Sequence, residues 1–350
     1  MDFFHKVLAN PGQCKGDIEK VLNSITIHSE LEYSILGGKR NVSQALKNTQ
    51  VTDAQVKQVM LSALEESLAT DIYFKLYCRP RQCFLSSDSA LAERDHIAAL
   101  SQANSGSGTW EPGWRVVAID EDGRFAVARD HVNFWVYKTG LKSNVANIAV
   151  GDFCRVWVTK EMRYLVPGYY YAIGNGDARD DRDTTDVLTR FYWNLDEGSA
   201  ILFVSQVTSA FNQVCIPFRA KVIANPHGFC RADSGVLYLE RCYLKSAINV
   251  IERIHQSLQS RLKCDVPMFT NPILPGVGFA EDPGNGMSFG QSRSRIIAKA
   301  MLSDFHCDGR DPAGLFVKIQ RAFLEQNIDS NYMHLNSIES QLFYSKEKCN

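Results

Sequence analysis

Leu188-Thr189-Arg190-Phe191-Tyr192-Trp193-Asn194-Leu195, followed by Asp196-Glu197, is the stretch from which the fold is read. Strand side chains alternate between faces, so Arg190, Tyr192 and Asn194 share one side while Phe191, Trp193 and Leu195 share the other. This predicts a strand with one polar and one apolar face. Asp196 and Glu197 suit the positive end of a helix dipole, and Ile201, Val204, Val207 and Phe211 recur inward at helical spacing. Residues 216–223 predict a second strand, with Ile216, Phe218, Ala220 and Val222 on one face. Its other face carries Arg219 and Lys221, roughly 7 Å apart along the backbone. The turn Asn225-Pro226-His227-Gly228 leads to a third strand near 234–240, and the amphipathic run 243–262 predicts a helix. A β-α-β-β-α core results.

Working outward, the Pro/Gly-rich stretch 267–286 is expected as a loop, with helices near 288–305 and 312–327. On the other side, Gly174 to Asp183 is charged at six of its ten residues and predicts a solvated loop. From Trp114 to Gly174, short runs of Val, Phe, Trp and Tyr are separated by turn signals such as Asp120-Glu121-Asp122-Gly123, which predicts a small antiparallel sheet. Ser101 to Thr109 is small and polar and predicts a flexible joint. Before it, a segment opening at Val51-Thr52-Asp53 carries Val56, Val59, Met60, Leu64, Leu68 and Ile72 as an apolar helical stripe. The expected fold class is therefore α+β. It comprises a helical N-terminal region over 1–105, a small antiparallel β subdomain over 113–175, and a mixed α+β domain over 187–345.

A chain of 350 residues that is 45% hydrophobic can build cores without metals or disulfides. Its net charge of −1 advertises neither nucleic acid nor an anionic membrane as partner. Ten cysteines without dense spacing read as reduced thiols, which together with an opening that lacks a secretory leader predicts a cytoplasmic protein. No run approaches the roughly 20 apolar residues of a membrane span. No cofactor is expected. Histidine spacing, and Cys78 and Cys83 without a second ligand pair, argue against a metal site.

The candidate site residues are mostly cations. Arg190, Arg219, Lys221 and Arg231 lie within or beside neighbouring predicted strands, where they can gather around an anion or be solvated and paired with surface carboxylates. Ser288-Phe289-Gly290-Gln291-Ser292-Arg293 opens a helix, whose free N–H groups can hold an anion. Arg293 falls in register with Ile296, Ile297 and Ala300, so an arginine on an apolar stripe needs a buried partner. That partner is either a substrate phosphate or a carboxylate such as Glu281 or Asp282. Asp233 can orient a cation or shape a turn, with the turn role as the default. His227 reads as an exposed turn histidine or a proton donor, and Tyr192 and Tyr238 as packing residues or alternative donors.

Five stretches, Arg190 to Asn194, Ile216 to Lys221, Arg231 to Tyr238, Pro275 to Pro283 and Ser288 to Arg293, resemble, in order, the motifs of the HopA-type type III effector-like family. Weaker similarity reaches back through Pro167-Gly168-Tyr169 and Gly113-Trp114. Relatives in class V lanthipeptide and thioviridamide-like peptide biosynthesis are paired with a phosphotransferase-like kinase and assigned the lyase step. The resemblance therefore implies elimination of phosphate from a phosphorylated precursor peptide. By the same analogy it implies Lys221 as general base, Arg190, Arg231 and Arg293 as phosphate ligands, and His227 or Tyr238 as the acid. At Thr270-Asn271-Pro272, many relatives are expected to carry lysine in place of Asn271. The effector branch implies an alternative, a non-catalytic interaction protein or a peptide-presenting partner of a kinase.

Overall fold

Helical spacing and strand alternation sort the chain into short elements, seen in a computed structural model that describes residues 3–9, 11–43, 53–80, 89–129, 132–143, 147–163, 165–176, 187–303 and 312–349. The helices are α1 (Phe3–Val7), α2 (Pro11–Ser24), α3 (Asp53–Asp71), α4 (Ser89–Ala103), α5 (Glu197–Gln213), α6 (Leu244–Leu258), α7 (Phe289–Ser303), α8 (Pro312–Leu324) and α9 (Ile338–Cys349). The first strands are β1 (Ile25–Ser29), β2 (Glu32–Ile35), β3 (Gly38–Asn41), β4 (Thr109–Ile119), β5 (Arg124–Arg129), β6 (Val132–Tyr137), β7 (Leu141–Lys142) and β8 (Phe153–Val158). They are followed by β9 (Glu161–Met162), β10 (Tyr169–Ile173), β11 (Leu188–Trp193), β12 (Arg219–Ile223), β13 (Gly235–Glu240), β14 (Asn271–Leu274) and β15 (Val277–Glu281). The fold is α+β. Val51, Thr52, Cys83 and the charged stretch 177–183 lie outside the described residues.

Contacts gather the chain into two units: residues 1–82, 231–233 and 264–350 form the first, and residues 83–230 and 234–263 the second. In the first unit α3 packs on α7, α7 on α8 and α1 on α9. The stripe read from the sequence supplies the buried face of α3 through Leu64 and Leu68, and Ile72 continues it into a π-helical turn over Ile72–Tyr77. Phe3, Phe279 and Tyr344 meet edge to face at 5.4 and 5.9 Å. The first hundred residues are not wholly helical: β1, β2 and β3 form an antiparallel meander that buries Ile25, Ile27, Tyr33 and Ile35. The stretch 267–286, expected as a loop, holds the antiparallel hairpin β14–β15, turning at Gly276 with φ of +73°. Asn271, where a lysine is expected in relatives, is buried and donates to the Lys6 carbonyl at 2.9 Å.

The second unit holds two sheets. One is a five-stranded sheet in the order β6-β5-β4-β8-β7, whose inner face packs Trp114, Val116, Phe125, Val127, Val156 and Val158 into a core. The other places β11-β13-β12-β10-β9 side by side, with β11, β13, β12 and β10 antiparallel in turn. The Asp196 side chain accepts from the Ser199 N–H at 2.7 Å, and the Ser199 hydroxyl accepts from the Asp196 N–H at 2.8 Å. This reciprocal cap starts α5 where the acidic pair predicts it. Trp193 on the apolar face of β11 lies 5.2 Å from Phe203 of α5, both fully buried. Each such aromatic contributes roughly 2–3 kcal/mol by leaving water.

Ser101 to Thr109, expected as a flexible joint, is tied down. Asn104 donates to the Lys160 carbonyl and to the Tyr170 hydroxyl at 2.9 and 3.0 Å, and Ser105 donates from its backbone to Thr208. Polar side chains that cannot build a core here satisfy buried polar groups instead. The expectation of reduced cysteines also changes: Cys230 is disulfide-bonded, whereas Cys14, Cys78, Cys154, Cys215, Cys242 and Cys264 are in no disulfide.

One buried group sets an acid response. His334 in the first unit sits 2.9 Å from the Val7 carbonyl through Nε2. Burial is the main cause that pushes its pKa down to about 3, and the Val7 bond opposes the shift. Below about pH 6.5 the unfolded chain binds a proton here that the folded chain does not, so stability falls as pH falls toward the native value. Over the first one and a half pH units the loss is about 2 kcal/mol. Urea unfolding at stepped pH is expected to show this slope, and His334→Gln to flatten it by close to one proton.

Candidate functional site

The polar face predicted for β11 and β12 forms on the sheet of the second unit, because direct antiparallel partners project to the same side. Arg190, Tyr238 and Arg219 make one cross-strand row over β11, β13 and β12. Tyr192, Val236, Lys221 and Tyr171 make the next, over β11, β13, β12 and β10. Two guanidiniums, one ammonium and three phenols thus share a face. Phe191, Trp193, Ala220, Val222, Leu237 and Leu239 alternate with them and are buried.

Aromatic rings hold the cations. The Arg190 guanidinium lies 5.4 Å from the centroid of the Tyr238 ring, and Arg190 is buried. The Lys221 ammonium sits 4.5 Å from the centre of the Tyr169 ring. Arg219 is partly exposed and donates through Nη2 to both carboxylate oxygens of Glu111, each at 3.1 Å. Glu111 also accepts from Arg129 at 3.0 Å, so one carboxylate of β4 serves two arginines. Tyr171 reports how close the group lies. Burial, the largest influence, leaves its phenol pKa raised; Lys221, Arg190 and Arg219 pull it down, and Tyr238 adds to the rise.

Tyr169, Tyr171 and Glu111 were not candidates from the sequence. The alternation of Tyr169-Tyr170-Tyr171 carried the signal for the first two, since a strand puts the outer pair on one face. Glu111 had none, being 108 residues from Arg219.

The other candidates lie elsewhere in the chain. His227 occupies a 3-10 turn after β12, where its N–H donates to the Asn225 side chain at 2.9 Å. In the first unit, Arg231 donates to the two oxygens of Asp233 at 2.5 and 2.7 Å and to the Tyr73 hydroxyl at 2.8 Å. Asp233 therefore orients a cation rather than only shaping a turn. Burial opposes the charge on Arg231, but the bonds and charge of Asp233 outweigh it and hold the guanidinium pKa above its ordinary value.

Arg293 is 1% exposed and donates to the Met333 and Leu335 carbonyls at 2.7 and 2.9 Å and to the Asn336 side chain at 3.1 Å. Glu281 braces the same segment by accepting from the Asn336 N–H at 2.8 Å. The start of α7 closes on itself, with Ser288 and Gln291 exchanging side-chain and backbone bonds of 3.1 and 3.3 Å. Gly290 there lies against Tyr77, whose ring a Cβ would meet at 2.4 Å. A cavity of about 160 Å³ in the first unit is lined in part by Thr70, Tyr73, Phe74 and Met287, and Glu66 and Arg295 of its lining are ion-paired. Among the described residues no cluster of ligands suits a metal ion, and no helix is long and apolar enough to cross a membrane.

The ordered motifs run through an α+β fold whose sheet carries a cationic, tyrosine-lined face. Residues 161–335 match the model of the HopA1 effector protein family, half of the chain, and the chain belongs to that family. Among solved structures it is similar to the effector protein from Pseudomonas syringae pv. tomato strain DC3000, with 14% identity and a TM-score of 0.46, covering 93% of this chain and 98% of that one. It is likewise similar to the effector protein from Pseudomonas syringae pv. syringae strain 61, with 12% identity, a TM-score of 0.47 and the same coverage. No curated protein matches the chain.

Proposed function

We propose that this protein eliminates phosphate from a phosphorylated serine or threonine of a peptide, leaving a dehydroamino acid, as a partner of a kinase-like enzyme in ribosomal-peptide biosynthesis. The observation that carries the reading is the pair of cross-strand rows that sets Arg190, Arg219 and Lys221 on one sheet face among tyrosines. In the proposed step Lys221, acting as its neutral amine, takes the α-proton and becomes the ammonium, the C–H electron pair forms the Cα=Cβ bond, and the Cβ–O bond breaks. Phosphate departs onto Arg190 and Arg219, which offer planar donors to a tetrahedral dianion. Tyr238 or His227 supplies a proton to the leaving oxygen. The peptide loses the elements of phosphoric acid. Arg231 and Arg293 have structural partners and are left out of this assignment.

A second reading, a non-catalytic binding protein, draws support from the internal pairing of Arg219 with Glu111 and from the effector description of the family. The two separate on one assay. Incubation with a phosphothreonine peptide is expected to give the mass loss of phosphoric acid, and Lys221→Ala to slow it by about a hundredfold or more. Tight peptide binding with no mass loss, or a Lys221→Ala variant as fast as wild type, would reject the lyase assignment.

A further inference from the structure

Glu111 bonds two arginines that stand in different surroundings. It lies on β4 opposite Val156, a core residue of the five-stranded sheet, just before a bulge at Pro112 and Gly113 where β4 carries one residue more than β8. Gly113 makes the bulge with φ of +77°. Bulges of this kind re-aim a neighbouring side chain. Glu111 is 5% exposed and Arg129 is 7% exposed. Arg129 is fixed in turn by the Pro112 carbonyl at 2.9 Å, with its guanidinium 5.8 Å from the centre of the Trp114 ring. One buried cation thus already balances the buried anion. Arg219 is not needed to neutralise Glu111, and with 44% of its side chain exposed it needs no carboxylate in order to stay charged.

The bond between them leaves most of Arg219 open. Arginine and carboxylate frequently close as a fork, two nitrogens on two oxygens. Here Nη2 alone reaches both oxygens of Glu111 at 3.1 Å, which leaves Nε and Nη1 without a bonding partner among the described residues. We infer that Glu111 is a positioning residue: braced by Arg129, it holds the Arg219 guanidinium by one nitrogen and so presents the remaining donors to the phosphate of the substrate. The inference rests on the phosphate role proposed above for Arg219. An unheld arginine gives up rotamer freedom when it closes on an anion, whereas a held one has already lost it, a difference of roughly tenfold in affinity. The negative charge of Glu111 acts in the opposite sense, but Arg129 lies against the same carboxylate and offsets it.

The test removes the brace without changing the net charge. Glu111→Leu with Arg129→Met takes out one anion and one cation, and apolar replacement of a buried pair commonly keeps the fold. The probe is a phosphothreonine peptide in which carbon replaces the bridging oxygen, so that it binds but cannot lose phosphate. Calorimetry on the full chain is expected to show binding weakened about tenfold by the paired substitutions. Arg219→Ala alone is expected to weaken it about tenfold, and adding the paired substitutions to Arg219→Ala to change nothing further, because Glu111 acts only through Arg219. A loss carried by the fold would appear in both backgrounds. Should near-ultraviolet circular dichroism show the pair unfolded, Glu111→Met with Arg129→Gln replaces it, since the glutamine amide can still donate to the Pro112 carbonyl. Unchanged affinity in the paired variant, an equal loss in the Arg219→Ala background, or no binding by the wild type at millimolar peptide would overturn the inference. Coupled binding without elimination from the natural phosphopeptide would reject the lyase and keep the positioning role. Elimination that the paired substitutions leave at the wild-type rate would keep the lyase and reject the positioning role.

Discussion

Asp233→Ala is expected to cost roughly 3 kcal/mol of stability, because it removes the partner of a guanidinium whose side chain is only 17% exposed rather than a surface charge. Arg231 is held by two bonds to Asp233, and its plane faces Tyr73 and Phe74 at 5.5 and 5.8 Å. The Tyr73 hydroxyl and the Cys78 sulfur at 3.0 Å take another of its hydrogens but carry no formal charge. Deleting the carboxylate leaves a cation in a pocket that cannot neutralise it. The double variant Arg231→Met with Asp233→Leu is expected to recover most of the loss, since apolar residues of similar volume often replace a buried pair at little cost. Urea unfolding of the single and double variants measures this. An Asp233→Ala loss below about 1 kcal/mol would place the pair in the weak, exposed class instead.

Arg293→Ala is expected to lose about 4 kcal/mol or more. Two backbone carbonyls and one side-chain oxygen lose their donors in a site closed to water, each costing about 1–3 kcal/mol, and the space left by the guanidinium adds a cavity. Arg293→Lys is expected to recover only part, because a single ammonium cannot fork to the three acceptors spread over residues 333–336. Hydrogen exchange should rise first over residues 333–336, the segment that Arg293 and Glu281 hold from two sides. The result discriminates between roles. A phosphate ligand would lose affinity for phosphopeptide while keeping its stability, and a brace would do the reverse.

What the sequence made legible follows a physical rule. The run from Leu188 to Ile223 could be read because polar and apolar residue types alternate along its strands, although β11 is buried on both faces. Val277 to Glu281 is buried at every position and β14 begins Asn271-Pro272, so neither alternation nor composition separated this hairpin from a loop. The meander β1 to β3 was missed although Ile25, Ile27, Tyr33 and Ile35 do alternate with polar residues, because strands of four or five residues give too few repeats to compete with helical spacing on either side.

At the site, residue type and face were readable for Arg190, Arg219 and Lys221. Their partners were not. Glu111 for Arg219 lies 108 positions away and the Leu335 carbonyl for Arg293 lies 42 away, distances at which spacing carries no information and only the folded contact decides. Arg293 shows that gap: helical register correctly required a buried partner, but no spacing announced the Met333 and Leu335 carbonyls that are among its acceptors.

The first unit is assembled from the two ends of the chain and a three-residue visit from the middle. During translation, α3 leaves the ribosome long before α7, its packing partner, has been made. The 181 residues between 82 and 264 take roughly 10 to 40 seconds to polymerise at ordinary rates of synthesis. Throughout that interval the face of α3 that packs on α7 lacks its native cover, so the nascent polypeptide is expected to be a chaperone client whose early half waits for its late half.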